Sequence, residues 1–353
     1  MMTAVTHRLR FLAMLLMAMT IATACDVHEW YTTDDEPDNP TPPPTVEGEK
    51  GLYSLRFDFN PHFNQVDMQD DGTLGDVYRT YDNTHSYGWM HYYVRAYPLT
   101  DGNIDRNRYQ EFTFSRDVAE GYQCKYLLEL CQGDYRIMVW THLTEQQNDD
   151  HFYDVSDFGE IRLAGTHTAN TDYRDAFRGS VDITVRSTDG HDANPTPSTT
   201  LVLERPLAKF EIITNDITSF LTKAGRGSLD DYQVVVTYIG FMPNAFSMHT
   251  DRNVDSSQNI QFVSELNQLS EDEASLGFDY VFVNSSETYV TVQVSIVAKS
   301  RAKAVANSDP VRIPLQRNHH TVVRGSFLLK ESSGGVGINP DYDGDFNINA
   351  PLN

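Results

Sequence analysis

From Gly51 onward the chain alternates apolar and polar residues with a period of two. Tyr53, Leu55, Phe57 and Phe59 alternate with Ser54, Arg56 and Asp58, and Met90, Tyr92, Val94 and Ala96 with His91, Tyr93 and Arg95. The same pattern returns at Val181, Ile183 and Val185, and at Val290, Val292, Val294 and Ile296. Val323, Phe327 and Leu329 share a parity, as do Phe346 and Ile348. Successive side chains on a strand point to opposite faces, so this spacing buries one face and wets the other. Half-buried strands separated by turns such as Asp101-Gly102, Gln132-Gly133-Asp134, Asp189-Gly190 and Asn318-His319 predict an all-β protein built of antiparallel sandwiches.

Two helical pieces are expected to interrupt the strands. Asn215 and Asp216 can cap a helix with Ile217, Phe220, Leu221 and Ala224 on one face, stopped by Gly225. Ser270-Glu271-Asp272-Glu273 reads as a capping box for a turn or two ending at Gly277. Eighteen Phe and 19 Tyr supply material for real cores, and the ~300 residues involved suggest about two domains. The division is placed at Glu204-Arg205-Pro206, giving sandwich domains at 51–205 and 206–353.

The N-terminus has its own logic. His7, Arg8 and Arg10 precede an apolar run, Phe11–Ile21, that is too short for a membrane-spanning helix, which needs about 20 residues. Small residues Ala22, Thr23 and Ala24 follow, then Cys25, so residues 1–24 read as a signal peptide ending on a lipid-modified cysteine. Ala22 stands where such sites usually carry Leu; an ordinary signal peptide cut after Ala24 would instead leave Cys25 as a free thiol. Two or more acyl chains on Cys25, palmitate among them, would anchor the protein durably. Residues 25–50 then form a tether, with Pro37, Pro40, Pro42, Pro43 and Pro44 and the acids Asp34, Asp35, Glu36 and Asp38. Its Pro-rich part should be stiff, at ~3 Å per residue.

The net charge of −23 becomes −25 once residues 1–24, with Arg8 and Arg10 and no acids, are removed. Such a chain repels nucleic acid and anionic membrane surfaces, so the membrane is reached through the lipid alone. If Cys124 and Cys131 lie on one strand, they stand about 23 Å apart, beyond disulfide reach of ~7 Å between Cα atoms, and are expected as separate thiols. No Cys/His spacing fits zinc. Asp341-Tyr342-Asp343-Gly344-Asp345 lacks the ligand order of a calcium loop, and the acids Asp67, Asp70, Asp71 and Asp76 read as a second acidic turn. His319 and His320 would point to opposite faces and cannot share an ion; a hairpin turn is the reading there. No hydrolase, metalloprotease or phosphate-loop motif occurs, and Trp89 and Trp140 are expected in or beside the core. Neither an enzyme nor a cofactor or metal site is therefore expected.

Several stretches resemble the fimbrillin-like lipoproteins of Bacteroidetes-type bacteria: Cys25–Trp30, Gly133–Trp140, Thr171–Gly179, Gly277–Asn284 and Ile338–Ile348. The resemblance implies two transthyretin-like sandwiches in tandem and no enzyme activity. It implies a lipoprotein of the outer membrane and cell surface acting in fimbria anchoring, assembly or adhesion, with fimbrial subunits or other surface proteins as partners through strand complementation. It also makes Arg79, expected in the loop after the first strand, the candidate processing site. A carbohydrate-binding surface lipoprotein of a glycan-uptake system is the alternative, and would need exposed aromatics.

Overall fold

The computed structural model describes residues 48–147, 151–191, 194–224, 227–284, 287–300 and 303–329. Cys25, most of the tether, Asp341–Asp345 and the Phe346/Ile348 pair lie outside them.

The first sandwich places β1 (Lys50–Phe59) between β7 (Cys124–Cys131) and β12 (Ser198–Leu203). Facing them are β11 (Ala176–Val185), β8 (Gly133–Thr144), β4 (Trp89–Thr100) and β6 (Gln110–Asp117), with the short β5 (Asn103–Ile104) on β4. The expected alternation holds where it matters: Leu55, Phe57 and Phe59 are buried against Tyr92, Val94, Leu128 and Ile137.

The second sandwich repeats this plan. β13 (Leu207–Thr214) lies between β19 (Ala274–Phe282) and β23 (His319–Gly325), as β1 lies between β7 and β12. Opposite are β22 (Val311–Leu315), β20 (Thr288–Ala298), β14 (Tyr232–Tyr238) and β17 (Gln261–Ser264), with β21 (Lys303–Asn307) also on β20. Val290, Val292, Val294 and Ile296 all enter its core. In each sandwich the first strand pairs in parallel with the last, β1 with β12 and β13 with β23, and antiparallel with the strand on its other side. The chain crosses to the opposite sheet before its last strand, which therefore returns running the same way as the first.

Two features cross the division at 205/206, which itself falls in the turn between β12 and β13. β2 (Phe63–Met68) and β3 (Leu74–Tyr81) leave the first sandwich and extend the second one's sheet, β2 pairing in parallel with β23. The resulting order is β18 (Asn267–Gln268), β19, β13, β23, β2, β3. A further sheet joins β9 (Tyr153–Asp154) and β10 (Ile161–Leu163) to β15 (Phe241–Ser247) and β16 (Arg252–Gln258). Its joint is filled by Phe63, Trp140, Tyr153, Phe158, Phe246 and Phe282. This layer covers the outer face of β4 and β8, so the face expected to be wet is dry: His91 and Arg95 are buried. Arg95 is held by Glu111 at 2.5 Å and the Ser156 carbonyl at 2.8 Å, over the Phe158 ring at 4.2 Å.

Helix α1 (Ile217–Lys223) forms as expected, with Ile217 and Phe220 buried. Its N-terminus is served differently: the Thr218 N–H donates to Asp272 at 2.9 Å, while Asp216 accepts from the backbone of Leu328 and Leu329. Asp216 thereby pins the segment after β23 instead of capping. The Ser270–Glu273 helix is not formed. The Leu269 and Ser270 N–H groups both donate to the Glu273 carbonyl, so these residues make the β18–β19 hairpin. Gly277 lies inside β19 at φ 132, where a Cβ would meet Asn170 Oδ1 at 2.9 Å. The glycine admits the Asn170 side chain, which accepts from the Phe278 N–H at 2.8 Å.

Candidate functional site

The chemistry-bearing side chains converge at the junction between the two sandwiches. The stretch Thr171–Asp175 forms a tight turn before β11, with Thr171 Oγ1 accepting from the Tyr173 N–H. Three of its charged residues then reach three different partners, Arg205 at the division and Lys209 and Asp279 in the second sandwich.

Asp175 takes Arg205 in a bidentate pair, with both N–O distances 2.7 Å. The remaining guanidinium donors meet the carbonyls of Asn60, Pro61 and His62 and the side chain of Asn318. Phe63 and Phe177 lie against the guanidinium at 3.9 and 4.5 Å. Arg205 is fully buried, and it clips together the exit of β1, the β12–β13 turn and the β22–β23 turn. Only Arg offers a rigid fork able to satisfy this many acceptors without water.

Arg174 pairs with Asp279, which also receives the Tyr238 hydroxyl at 2.6 Å and His167 at 2.8 Å. Burial alone would raise the Asp279 carboxyl, but Arg174 and His167 hold it below its ordinary value. Asp172 meets Lys209 Nζ at 2.8 Å and accepts from the Tyr280 hydroxyl. Its carboxyl, too, would be raised by burial and is held low by Lys209 and Tyr280. Burial keeps Tyr238 and Tyr280 as neutral phenols, pushing both well above the usual tyrosine range.

A polar row crosses the outer face of the six-stranded sheet. Arg79 donates to Gln65, whose amide lies 3.3 Å from His320 Nδ1; His320 Nε2 lies 3.3 Å from Glu211, which accepts from Ser275 at 2.7 Å. Burial lowers the His320 pKa despite Glu211. Arg79 is therefore in strand β3 and not in a loop. The edge-strand register with β2 captures it, although its side chain is exposed. His319 and His320 open β23 just after the turn at Asn318, and only His320 is buried. Cys124 and Cys131 are buried thiols, not joined in a disulfide, at opposite ends of β7, as the strand spacing predicts. Trp140 is fully buried and Trp89 half-buried. Among the described residues no group of His, Cys, Asp or Glu could hold a metal, and no helix is long and apolar enough to cross a membrane.

Sequence reasoning named two of the stretches that meet here, Thr171–Gly179 and Gly277–Asn284, but not the ion pairs between them. The available signal was a charge inside an apolar strand: Lys209 within Leu207–Ile213 and Asp279 within Gly277–Val283. Such charges are rarely buried without a partner.

The surface features are sheet edges. β12 pairs with β1 on one side, and among the described residues its other side makes only the Arg178–Glu204 bridge. Val202 on this strand is 60% exposed. The corresponding edge of β23 is occupied by β2. Among the described residues the most exposed aromatic is Tyr87, set edge-on to Tyr173 at 6.3 Å.

No curated protein matches the chain. Solved structures similar to it include the fimbrial anchor protein Mfa2 from Porphyromonas gingivalis, at 14% identity, covering 74% of this chain and 83% of that one with a TM-score of 0.39. A candidate cell adhesion protein from Bacteroides eggerthii is similar at 11% identity, over 80% and 89% of the two chains, with a TM-score of 0.42. A candidate polysaccharide-binding protein from Bacteroides thetaiotaomicron is similar at 13% identity, over 72% and 79%, with a TM-score of 0.39. A family model described as a family of unknown function, DUF6562, matches residues 53–351, and the chain belongs to that family.

Proposed function

We propose that this is a non-catalytic surface protein, lipid-anchored to the outer membrane through Cys25, that acts in fimbria anchoring, assembly or adhesion by pairing its sheet edge with partner proteins. The observation carrying this reading is the β12 edge, which among the described residues makes only the Arg178–Glu204 bridge while its counterpart on β23 is filled. An open edge offers backbone donors and acceptors to an incoming strand. The signal peptide, the acidic charge and the fimbrillin-like stretches of the sequence support the setting. The interior supports a non-catalytic role, because the junction carboxylates are engaged by Arg174, Arg205 and Lys209.

In the anchor reading Arg79 stays uncut. Cleavage there would detach β1, the central strand of the first sandwich, with Leu55, Phe57 and Phe59, each side chain worth about 1.5–3 kcal/mol of burial. The vacated groove would then require a partner's strand. The glycan-uptake alternative has one observation in its favour, the exposed Tyr87 beside Tyr173.

A photo-crosslinking residue at Val202, introduced in cells, tests the edge. The expected result is an adduct with a fimbrial subunit, identified by mass spectrometry, together with intact protein beginning before residue 79. No adduct at Val202, with glycan probes labelling a crosslinker at Tyr87, would overturn the reading in favour of carbohydrate binding.

A further inference from the structure

Lys209, Asn83 and Asp172 meet in a setting that an ordinary ion pair does not require. Lys209 lies on β13, on the face opposite the core residues Ala208 and Phe210, with its side chain 3% exposed. The rings of Phe278, Tyr81 and Tyr280 stand 4.2, 5.1 and 5.3 Å from Nζ and close around it. Into this aromatic box project a carboxylate, Asp172 at 2.8 Å, and a primary amide, Asn83, whose Oδ1 is 3.5 Å from Nζ. The Asn83 carbon is thus at most one C=O bond, ~1.23 Å, farther from Nζ than that oxygen. Asn83 is itself buried and fixed, its Nδ2 donating to Asp175 at 3.0 Å and to the Tyr280 hydroxyl at 3.1 Å.

We propose that Lys209 and Asn83 are the partners of an intramolecular amide cross-link, formed after folding with Asp172 as proton carrier. Asp172 takes one proton from the Lys209 ammonium, and the freed Nζ lone pair adds to Asn83 Cγ. The Tyr280 hydroxyl, 3.5 Å from Asn83 Oδ1, can donate to the oxyanion. The Cγ–Nδ2 bond then breaks. The leaving nitrogen, which already carries two hydrogens, takes a third from Nζ and a fourth from Asp172, the proton that carboxylate first accepted, and departs as ammonium. One C–N bond forms, one breaks, nothing is oxidised or reduced, and Asp172 ends as the carboxylate it began as. The aromatic box favours the reaction by excluding water, which stabilises the charged amine and competes for the acyl carbon. Holding amine and amide together replaces a bimolecular encounter by an intramolecular one.

The link would join positions 126 residues apart, fastening the segment that follows β3 to the first strand of the second sandwich. The test is mass spectrometry of proteolytic peptides from the full-length protein isolated from cells. The expected species is a branched peptide containing both Asn83 and Lys209, ~17 Da lighter than its two components because ammonia is lost. Asp172→Asn, which retains both reacting groups, should abolish the branched species, as should Lys209→Arg. Wild-type digests yielding only separate linear peptides overturn the proposal whether or not the variants fold. So does a branched peptide lighter by ~18 Da with Lys209 joined to Asp172, the mark of lost water, or ammonia loss confined to a linear peptide.

Discussion

The two sandwiches share a strand plan and differ in what covers it. Val202 on β12 and Val322 on β23 occupy matching places, each on its sheet's outward face beside the parallel first strand. Val202 is 60% exposed; Val322 is fully buried. The difference is the β2–β3 hairpin, which the N-terminal half lends to the C-terminal sheet, placing Asp67 beside Val322, where among the described residues β12 has no strand on the corresponding side. A repeated topology does not make repeated surfaces. One half has its last strand completed by the β2–β3 hairpin, and the other leaves the equivalent position without a strand among the described residues.

The strongest way to break this comparison is a matched pair of substitutions. Val322→Asp places a carboxylate in a buried position between Glu211 and Asp67 and should destabilise the fold by about 5 kcal/mol. Val202→Asp, the same change at the open edge, should stay within about 0.5 kcal/mol. Denaturant unfolding of both variants reads the contrast, and equal losses would mean that the two edges are equally covered. Arg205→Met comes next. It leaves Asp175 buried without its cation and should cost about 3 kcal/mol. Because Arg205 clips elements of both halves, separate unfolding transitions for the two sandwiches are expected in the variant and a single coupled one in the wild type; calorimetry distinguishes the cases.

The smallest effect is in acid. Burial depresses the His320 pKa below its ordinary 6.5, so the unfolded chain takes up a proton before the folded one does. The stability His320 contributes is complete above pH ~6.5 and is lost as pH falls from there through the folded value. Gln65, Glu211, Lys209 and Asp172 are polar groups acting on it, and Glu211, with Asp172 behind it, limits the loss. Thermal melts at about pH 7.5 and 5.5 should show a loss that shrinks in His320→Gln; an unchanged loss in the variant would assign it to other groups.

Much of the fold was legible because period two is a local signal. It identified β1, β4, β11 and β20, the inward Leu55, Phe57 and Phe59, the burial of Trp140 and the separate thiols at the ends of β7. Periodicity says which residues share a face, but not whether a second layer covers that face. His91 and Arg95 were therefore expected in water and lie beneath the joint layer. Residues 63–81 were opaque for a different reason. β3 is an edge strand, which tolerates polar residues on both faces, and Asp67, Asp70, Asp71 and Asp76 made the hairpin look like a loop carrying Arg79. The junction was hidden because its partners are far apart in sequence: Arg174 and Asp279 are separated by 105 residues, and only folding shows that they meet.

The parallel pairing of first and last strands has a mechanical meaning for a tethered protein. If the protein is anchored through Cys25 as proposed, tension from the membrane side would enter at Lys50, the start of β1, and pass to the second sandwich beyond Leu203, the end of β12. Because these strands run the same way, the pull enters at one end of the pair and leaves at the other, so it acts along the strands. Their hydrogen bonds are loaded together, in shear, and cannot be peeled open one by one. The second sandwich meets a force between Leu207 and Gly325 in the same manner, through β13 and β23. The two halves thus form two shear-loaded links in series, the arrangement that best lets a surface protein hold a load without unravelling.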